Sequence, residues 1–123
     1  MITFLLAAAA ASAPATSTPT LSTDPDVHCM AAYLVAAGNA KDDPSVSADD
    51  KAGIQAIVMY FFGKLDGRKP GADLKADIMG LVASPTYPTI LRPDIERCSA
   101  EAEARGKYLQ TFGDEAEAAA PKP

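Results

Sequence analysis

Two cysteines, Cys29 and Cys98, are the residues whose chemistry the sequence constrains most clearly. A redox site commonly places its thiols in a C-x-x-C pair, and this motif is absent from the chain. A metal site is also disfavoured, because the only histidine, His28, is next to Cys29, and neighbouring side chains on a helix point about 100° apart. We therefore expect a surface or hydrogen-bonded histidine, no metal site, and one disulfide if the chain is exported. Free thiols and pairing between molecules are the alternatives.

Cationic side chains cluster where an aromatic run breaks into glycines, between Met59 and Leu74. The glycines do not follow the G-x-x-x-x-G-K-[ST] spacing, so this is not a phosphate loop of that type. The cations can still favour an anion at the N-terminus of the helix that follows, where backbone N–H groups are free. The alternative is a solvated corner between two helices, which the glycines and Pro70 favour. The candidate anion-binding residues are Lys64, Arg68, Lys69 and Lys75.

The sequence contains no recognisable catalytic motif. A hydrolase elbow, a zinc spacing and an EF-hand pattern are all absent. Three carboxylate pairs, Asp42-Asp43, Asp49-Asp50 and Glu101-x-Glu103, are predicted in a loop, at a helix start and on a solvent face. None of them comes with an apolar pocket that would raise the pKa of a carboxyl group for acid–base catalysis. We therefore predict that the chain is not an enzyme and takes no cofactor.

Length and composition fit one globular domain. The chain has 123 residues, of which 48% are hydrophobic and 22% charged, and this usage is ordinary for folded proteins. An excess of acidic over basic residues gives a formal net charge of -5. This charge disfavours non-specific binding to nucleic acid or to an anionic membrane surface.

The amino terminus has the pattern of an export signal. An apolar region from Ile2 to Ala11 is followed by Ala13-Pro14-Ala15, which offers the small residues that a signal peptidase needs. We predict a signal peptide over residues 1–15 and a periplasmic or secreted location, and the alternative is an alanine-rich leader on a cytosolic protein. Because the apolar region is well short of the roughly twenty residues that cross a bilayer, no membrane span is predicted.

Apolar spacing predicts an all-α fold, a small bundle of about four helices over residues 24–113. The first helix begins after the capping residue Asp24 and ends at Gly38-Asn39. The second begins after the N-cap Ser47 and carries the broad apolar stripe Ile54–Leu65, which makes it the expected central helix. The disulfide would then staple the first helix to the last.

The third predicted helix is short and covers about residues 72–83. The connection over residues 84–93 contains three prolines and several apolar residues, so it is predicted as a non-helical lid across the core. The fourth helix begins near the end of this connection and ends at Gly113. Residues 16–23 are predicted as a mobile leader and residues 114–123 as a disordered tail.

Three sequence features are found together in this layout: a cysteine in the first helix, YFFGKLDGR from Tyr60 to Arg68, and C-x-x-E-x-x-x-x-G-x-x-L-x-x-x-G from Cys98 to Gly113. With these features the chain resembles small uncharacterised exported bacterial proteins that carry one disulfide. This resemblance implies no activity. More loosely, the chain is similar to the HdeA-type periplasmic acid-stress chaperones, which are also short, helical and tied by one disulfide.

We expect from these observations a non-enzymatic periplasmic module that binds another protein or unfolded clients in a chaperone-like role. Acid would neutralise the carboxylates, turn the net charge positive, loosen the fold and expose the stripe Ile54–Leu65. The alternative is binding of a small ligand or anion at the basic corner, with Tyr87–Leu91 as part of the lid. No oligomeric state follows from the sequence.

Overall fold

The computed structural model describes Ala13 and residues 20–122 of the chain. These residues form four helices and no strand, so the predicted all-α fold is confirmed. The predicted signal peptide over residues 1–15 lies outside the described residues except for Ala13. The helices are α1 (Pro25–Lys41), α2 (Ala48–Arg68), α3 (Leu74–Ala83) and α4 (Tyr87–Ala119).

Side-chain caps determine where the first two helices begin. Asp24 accepts a hydrogen bond from the backbone N–H of Asp26 at 3.0 Å, and Pro25 fills the first helical position, where no N–H is needed. Ser47 accepts a hydrogen bond from the backbone N–H of Asp50 at 3.0 Å. The predicted starts of α1 and α2 are therefore confirmed.

Helix α1 is the centre of the bundle, since it contacts each of the other three helices. Its inward face includes the fully buried Ala31, and a residue this small lets a neighbouring helix approach closely. The prediction that the second helix is central is wrong, because α2 lies against α1 and stays farther from α3 and α4. The largest side chains that are fully or almost fully buried are Val27, Cys29, Phe61, Leu65, Leu81 and Cys98.

Helix α4 begins inside the proline-rich segment 84–93, so the prediction of a non-helical lid there is wrong. Pro88 lies in the first turn, where the missing N–H has no helical partner to lose. Pro93 lies inside the helix and removes one backbone hydrogen bond. The turns on either side of it are held to the core by the buried side chains of Leu91 and Cys98, and this burial compensates for the lost bond.

The same helix continues to Ala119, so its predicted end at Gly113 is wrong and most of the segment 114–123, predicted as a disordered tail, is helical. Gly113 does not terminate the helix, because Gly71 alone has a positive φ among the described residues. The residues that follow are mainly alanine and glutamate, which favour the helix. With 33 residues, α4 is about 50 Å long, and its side chains are exposed from Glu103 onward.

The predicted disulfide between Cys29 and Cys98 is present and joins α1 to α4. Both residues are fully buried, and their Cα atoms are 5.4 Å apart. The bond therefore fixes the first helix to the last inside the core. Within residues 20–122, no helix has the length and apolar character needed to cross a membrane.

Residues 20–23, the described part of the predicted mobile leader, lie against the bundle. Leu21 is half-buried and packs against the core. The backbone carbonyl of Ser22 accepts a hydrogen bond from Nε2 of His28 at 2.8 Å. This part of the leader is therefore attached to the helical domain instead of free of it.

Candidate functional site

The predicted basic corner is a turn between two helices, in which α2 ends at Arg68 and Gly71, with a φ of 78°, leads the chain toward α3. Lys64, Arg68 and Lys69 all reach from this end of α2 toward the N-terminus of α1. Lys75 does not join them, because it lies on α3 beside an apolar pocket. The structure therefore brings together three of the four predicted anion-binding residues.

Two aspartates at the N-terminus of α1 face these cations. Asp24 accepts hydrogen bonds from Nζ of Lys69 at 2.8 Å and from Nη2 of Arg68 at 3.1 Å. The buried Asp26 accepts hydrogen bonds from Nζ of Lys64 and Nη2 of Arg68, both at 3.1 Å. Each of the three cations is therefore paired with a carboxylate of its own chain.

Helix α4 completes this arrangement through Arg97 and Glu101. Glu101 accepts hydrogen bonds from Nζ of Lys64 at 2.6 Å and from Nη1 of Arg97 at 2.8 Å. Nη2 of Arg97 reaches Asp26 at 3.3 Å and lies 2.9 Å from Sγ of Cys29. The result is an ion-pair cluster that ties α1, α2 and α4 together beside the disulfide. Its members are Asp24, Asp26, Lys64, Arg68, Lys69, Arg97 and Glu101.

Sequence reasoning identified the cations of this cluster but not their carboxylate partners. Lys64 and Glu101 are 37 positions apart and Lys69 and Asp24 are 45 apart, so no local pattern connects them. One usable signal was present, since acidic residues at the start of one helix and basic residues at the end of the next meet when the two helices pack antiparallel. The prediction that Glu101 lies on a solvent face is wrong, because its partner Lys64 comes from a distant part of the chain.

The cluster shifts the pKa values of three of its members. Burial opposes the charged form of Asp24, but hydrogen bonds from Lys69, from the backbone N–H of Asp26 and from Arg68 outweigh it and hold the pKa of Asp24 well below its ordinary value of 3.8. Burial also acts against the charge on Glu101, but the hydrogen bonds from Lys64 and Tyr60 and the charges of Lys64 and Arg97 together outweigh it, so the pKa of Glu101 is lowered. Burial acts to lower the pKa of Lys64, but its hydrogen bonds, led by that to Glu101, raise it overall.

The stability of the fold is expected to depend on pH at both ends of the scale. Because the pKa values of Asp24 and Glu101 are lower in the folded chain than in the unfolded one, their stabilisation is complete above about pH 5 and is lost as the pH falls through the folded values. Because the pKa of Lys64 is raised, its stabilisation is complete below about pH 10 and is lost at higher pH. Thermal unfolding followed by circular dichroism should give a midpoint that is flat between these limits and falls on either side.

The Asp24→Asn variant separates charge from helix capping, because asparagine caps a helix about as well as aspartate does. We expect this variant to be less stable than the native chain near neutral pH and to lose less stability on acidification. An equal loss in both proteins would show that Asp24 has no part in the acid response.

The N-terminus of α3, where the sequence favours an anion, is already capped. Asp73 accepts a hydrogen bond from the backbone N–H of Ala76 at 3.0 Å, and Asp77 follows in the first turn. These two carboxylates already lie at the positive end of the helix dipole, where an external anion would otherwise be attracted. Anion binding by the four cations therefore stays a prediction, since an external anion would compete with carboxylates of the same chain.

His28 is buried and hydrogen-bonded, in agreement with its predicted role. Its Nδ1 lies 2.7 Å from Oδ2 of Asp94 on α4, and its Nε2 donates to the carbonyl of Ser22. The ring therefore connects the leader, α1 and α4. In the part of the chain that the structure describes, no group of three His, Cys, Asp or Glu side chains is placed to hold a metal ion.

An apolar pocket of about 260 Å³ opens between α1, α2 and α3. Three of its large side chains, Leu34, Phe62 and Met79, are exposed to solvent. We call it the methionine pocket, and it is lined by Met30, Leu34, Phe62, Leu74, Lys75, Ile78 and Met79.

A second depression, of about 290 Å³, lies between α2 and α4. It forms because these two helices both pack on α1 without close contact between their own backbones. Half of its lining residues are glycine or alanine. We call it the α2–α4 groove, and it is lined by Gly53, Ala56, Ile57, Tyr60, Ala102, Arg105, Gly106 and Leu109.

Both depressions have linings that suit contact with apolar side chains. None of the described residues that line them is Ser, Thr, Cys, His, Asp or Glu. Comparisons of the chain with protein-family models, with curated proteins and with solved structures found no match.

Proposed function

We propose that this chain is a non-enzymatic protein-binding module of the periplasm or the extracellular space, and that it holds apolar segments of other proteins, unfolded clients among them. The observation that carries this proposal is the methionine pocket, an apolar depression that stays open in the folded chain. At about 260 Å³ it lies at or below the lower end of the range of about 300–1,000 Å³ typical of small-molecule sites. This size favours insertion of individual side chains over enclosure of a whole ligand.

The pocket combines a fixed floor with an adaptable rim. Met30 and Ile78 are buried, whereas Phe62 and Met79 are exposed at its edge. Methionine is unbranched and polarizable, so Met79 can adjust to apolar side chains of different shape. Flexible surfaces of this kind favour a range of partners over a single one.

Lys75 adds a charge to the edge of the pocket. Lys75 is an exposed residue, and its ammonium group can pair with a carboxylate that follows an apolar residue in the bound segment. We therefore expect a preference for apolar segments flanked by aspartate or glutamate. At this position the pair would contribute more to orientation than to affinity.

Two features support an exported location for this activity. The buried disulfide between Cys29 and Cys98 is of the kind that forms and persists in oxidising compartments. Residues 1–15 have the pattern of a signal peptide. The resemblance to small exported bacterial proteins agrees with both, and the looser similarity to HdeA-type chaperones favours clients that acid has unfolded.

The Met79→Asp variant is expected to lose client binding. A carboxylate at the rim of an apolar pocket keeps its hydration and repels the acidic flank of a bound segment. We therefore expect at least threefold weaker suppression of client aggregation, which corresponds to about 0.7 kcal/mol. The measurement is light scattering of rhodanese diluted out of guanidinium chloride, with increasing amounts of the oxidised chain. The same assay in acid tests whether the native chain suppresses aggregation more strongly as its fold loosens.

Met59→Asp is the matched control, because Met59 is 62% exposed, Met79 is 54% exposed, and Met59 lies outside the pocket. The control variant should suppress aggregation as well as the native chain does. Equal suppression by both variants would place client binding elsewhere on the molecule. No suppression by the native chain at either pH would contradict the proposed function itself.

A further inference from the structure

The C-terminal half of α4 leaves the bundle with its core-facing stripe uncovered. Leu109 follows the buried residues Leu91 and Cys98 by eighteen and eleven positions, about five and three helical turns, so all three lie on one face. Phe112 continues this face one turn later, and Tyr108 stacks on Phe112 with ring centroids 6.4 Å apart. Tyr108, Leu109 and Phe112 are 60%, 61% and 57% exposed.

This stripe runs directly into the α2–α4 groove, because Leu109 belongs to both. The groove is walled by small residues, among them Gly53 and Ala56 on α2 and Gly106 on α4. Small residues at a contact let a further helix approach closely. Stripe and groove therefore form one apolar surface with room for a helix beside α4.

Charge is distributed unevenly along this surface. Before the midpoint between Leu109 and Phe112, Arg105 lies four positions from Leu109 on the stripe, whereas Glu103 and Lys107 pair with each other at 2.6 Å. The charged residues after this midpoint are all acidic as far as the end of α4. A helix with the same sequence meets opposite charge only if it lies antiparallel. A parallel copy would place like charges side by side along the whole contact.

We propose that two copies of this chain associate through this surface, as an antiparallel pair of α4 helices related by a two-fold axis. With the axis at the midpoint, Leu109 of one copy lies against Phe112 of the other. In the same register Arg105 lies opposite Ala116 of the second copy and next to its Glu115, and this part of the second helix lies over the groove beside Gly106. The contact thus buries the exposed apolar residues and pairs the charges at its edges.

The size of the contact sets the expected affinity. Residues 102–119 form about 27 Å of helix, so the contact is long but only one helix wide. Its area lies at the lower end of specific protein–protein interfaces. We therefore expect a dissociation constant of about 1–100 µM.

This dimer goes beyond the proposed function and leaves the methionine pocket free. Phe62 lines the pocket and Tyr60 lines the groove, and side chains two positions apart on a helix do not share a face. Each dimer would present two methionine pockets away from its axis. One client could then be held at two points, which raises the overall affinity through effective concentration.

Sedimentation velocity of the full oxidised chain over a range of concentrations tests the dimer. We expect a reversible monomer–dimer equilibrium in the native chain and at least a tenfold higher dissociation constant in Leu109→Asp. Because Leu109 is 61% exposed, this variant should keep its fold, which circular dichroism checks. A native chain that stays monomeric at a few hundred micromolar, or a folded Leu109→Asp variant that still dimerises like the native chain, overturns the proposal.

Charge exchange tests the antiparallel register separately from the apolar contact. Arg105→Glu and Glu115→Arg should each weaken the dimer about tenfold, because the two-fold axis repeats the altered pair. The double variant restores opposite charges across the axis and should return close to the native dissociation constant. A double variant as weak as the single ones contradicts this register. Suppression of client aggregation by the native chain and by Met79→Asp is measured in a different assay. Failure of the dimer and failure of the proposed function therefore remain distinguishable.

Discussion

Loss of the disulfide is expected to lower the free energy of unfolding by about 4 kcal/mol. The bond joins Cys29 to Cys98 across 69 positions, and a link that closes so long a loop removes much of the conformational freedom of the unfolded chain. Domains of this size have a total stability of roughly 5–15 kcal/mol. The reduced chain should therefore be only marginally folded.

Denaturant unfolding of the native chain with and without reductant measures this effect without a change of sequence. The Cys29→Ala and Cys98→Ala single variants and the double variant serve as controls, since both cysteines are fully buried and alanine places no polar group in the core. Each single variant already breaks the link, so the double variant should add only the loss of a second small side chain. Oxidised and reduced chains within about 1 kcal/mol of each other would contradict the expected role of the bond.

The parts of the fold that follow local rules could be predicted from the sequence. Ser47 before two aspartates marks a helix start because a hydroxyl beside free N–H groups caps it wherever it occurs. The pairing of Cys29 with Cys98 follows once an exported chain has two cysteines and a single domain. The four helices follow from apolar spacing, which depends only on neighbouring turns.

The course of α4 could not be predicted in this way, because it is decided by packing. Proline inside a helix costs about 3 kcal/mol by local criteria, which is why a break was expected before Pro93. The buried Leu91 and Cys98 lie on either side of that proline, and their contacts come from other helices. The same holds for the ion-pair cluster, where Asp26 meets cations from two other helices.

The methionine pocket could not be predicted from the sequence either, because packing decides which side chains of an apolar stripe are covered. Phe61 and Phe62 are adjacent members of one predicted apolar stripe, and their spacing does not tell which of them is covered. The position of α1 decides it: Phe61 points into the core beside Tyr33, and Phe62 remains at the edge of the methionine pocket. Helical periodicity locates the stripe, and tertiary packing divides it between core and surface.

Phe61→Ala is expected to be strongly destabilising although it leaves the disulfide intact. Phe61 is 0% exposed, and its ring lies 5.0 Å from that of Tyr60 in an edge-to-face arrangement and 6.3 Å from that of Tyr33. Truncation removes this buried area and leaves a cavity at the contact of α1 with α2, so we expect a loss of about 3–5 kcal/mol in the free energy of unfolding. Denaturant unfolding of the oxidised chain measures it.

Phe62→Ala is the control for this prediction, since the same truncation is made one position away on a side chain that is 40% exposed. We expect it to cost about 1 kcal/mol or less in stability. Because Phe62 lines the methionine pocket, the variant should nevertheless weaken the suppression of client aggregation. Similar stability losses in both variants would show that Phe62 belongs to the core. The methionine pocket would then not be an open surface to which a client can bind. A large loss for Phe61→Ala alone, with weaker suppression for Phe62→Ala, would separate the residue that holds the bundle together from its neighbour that binds.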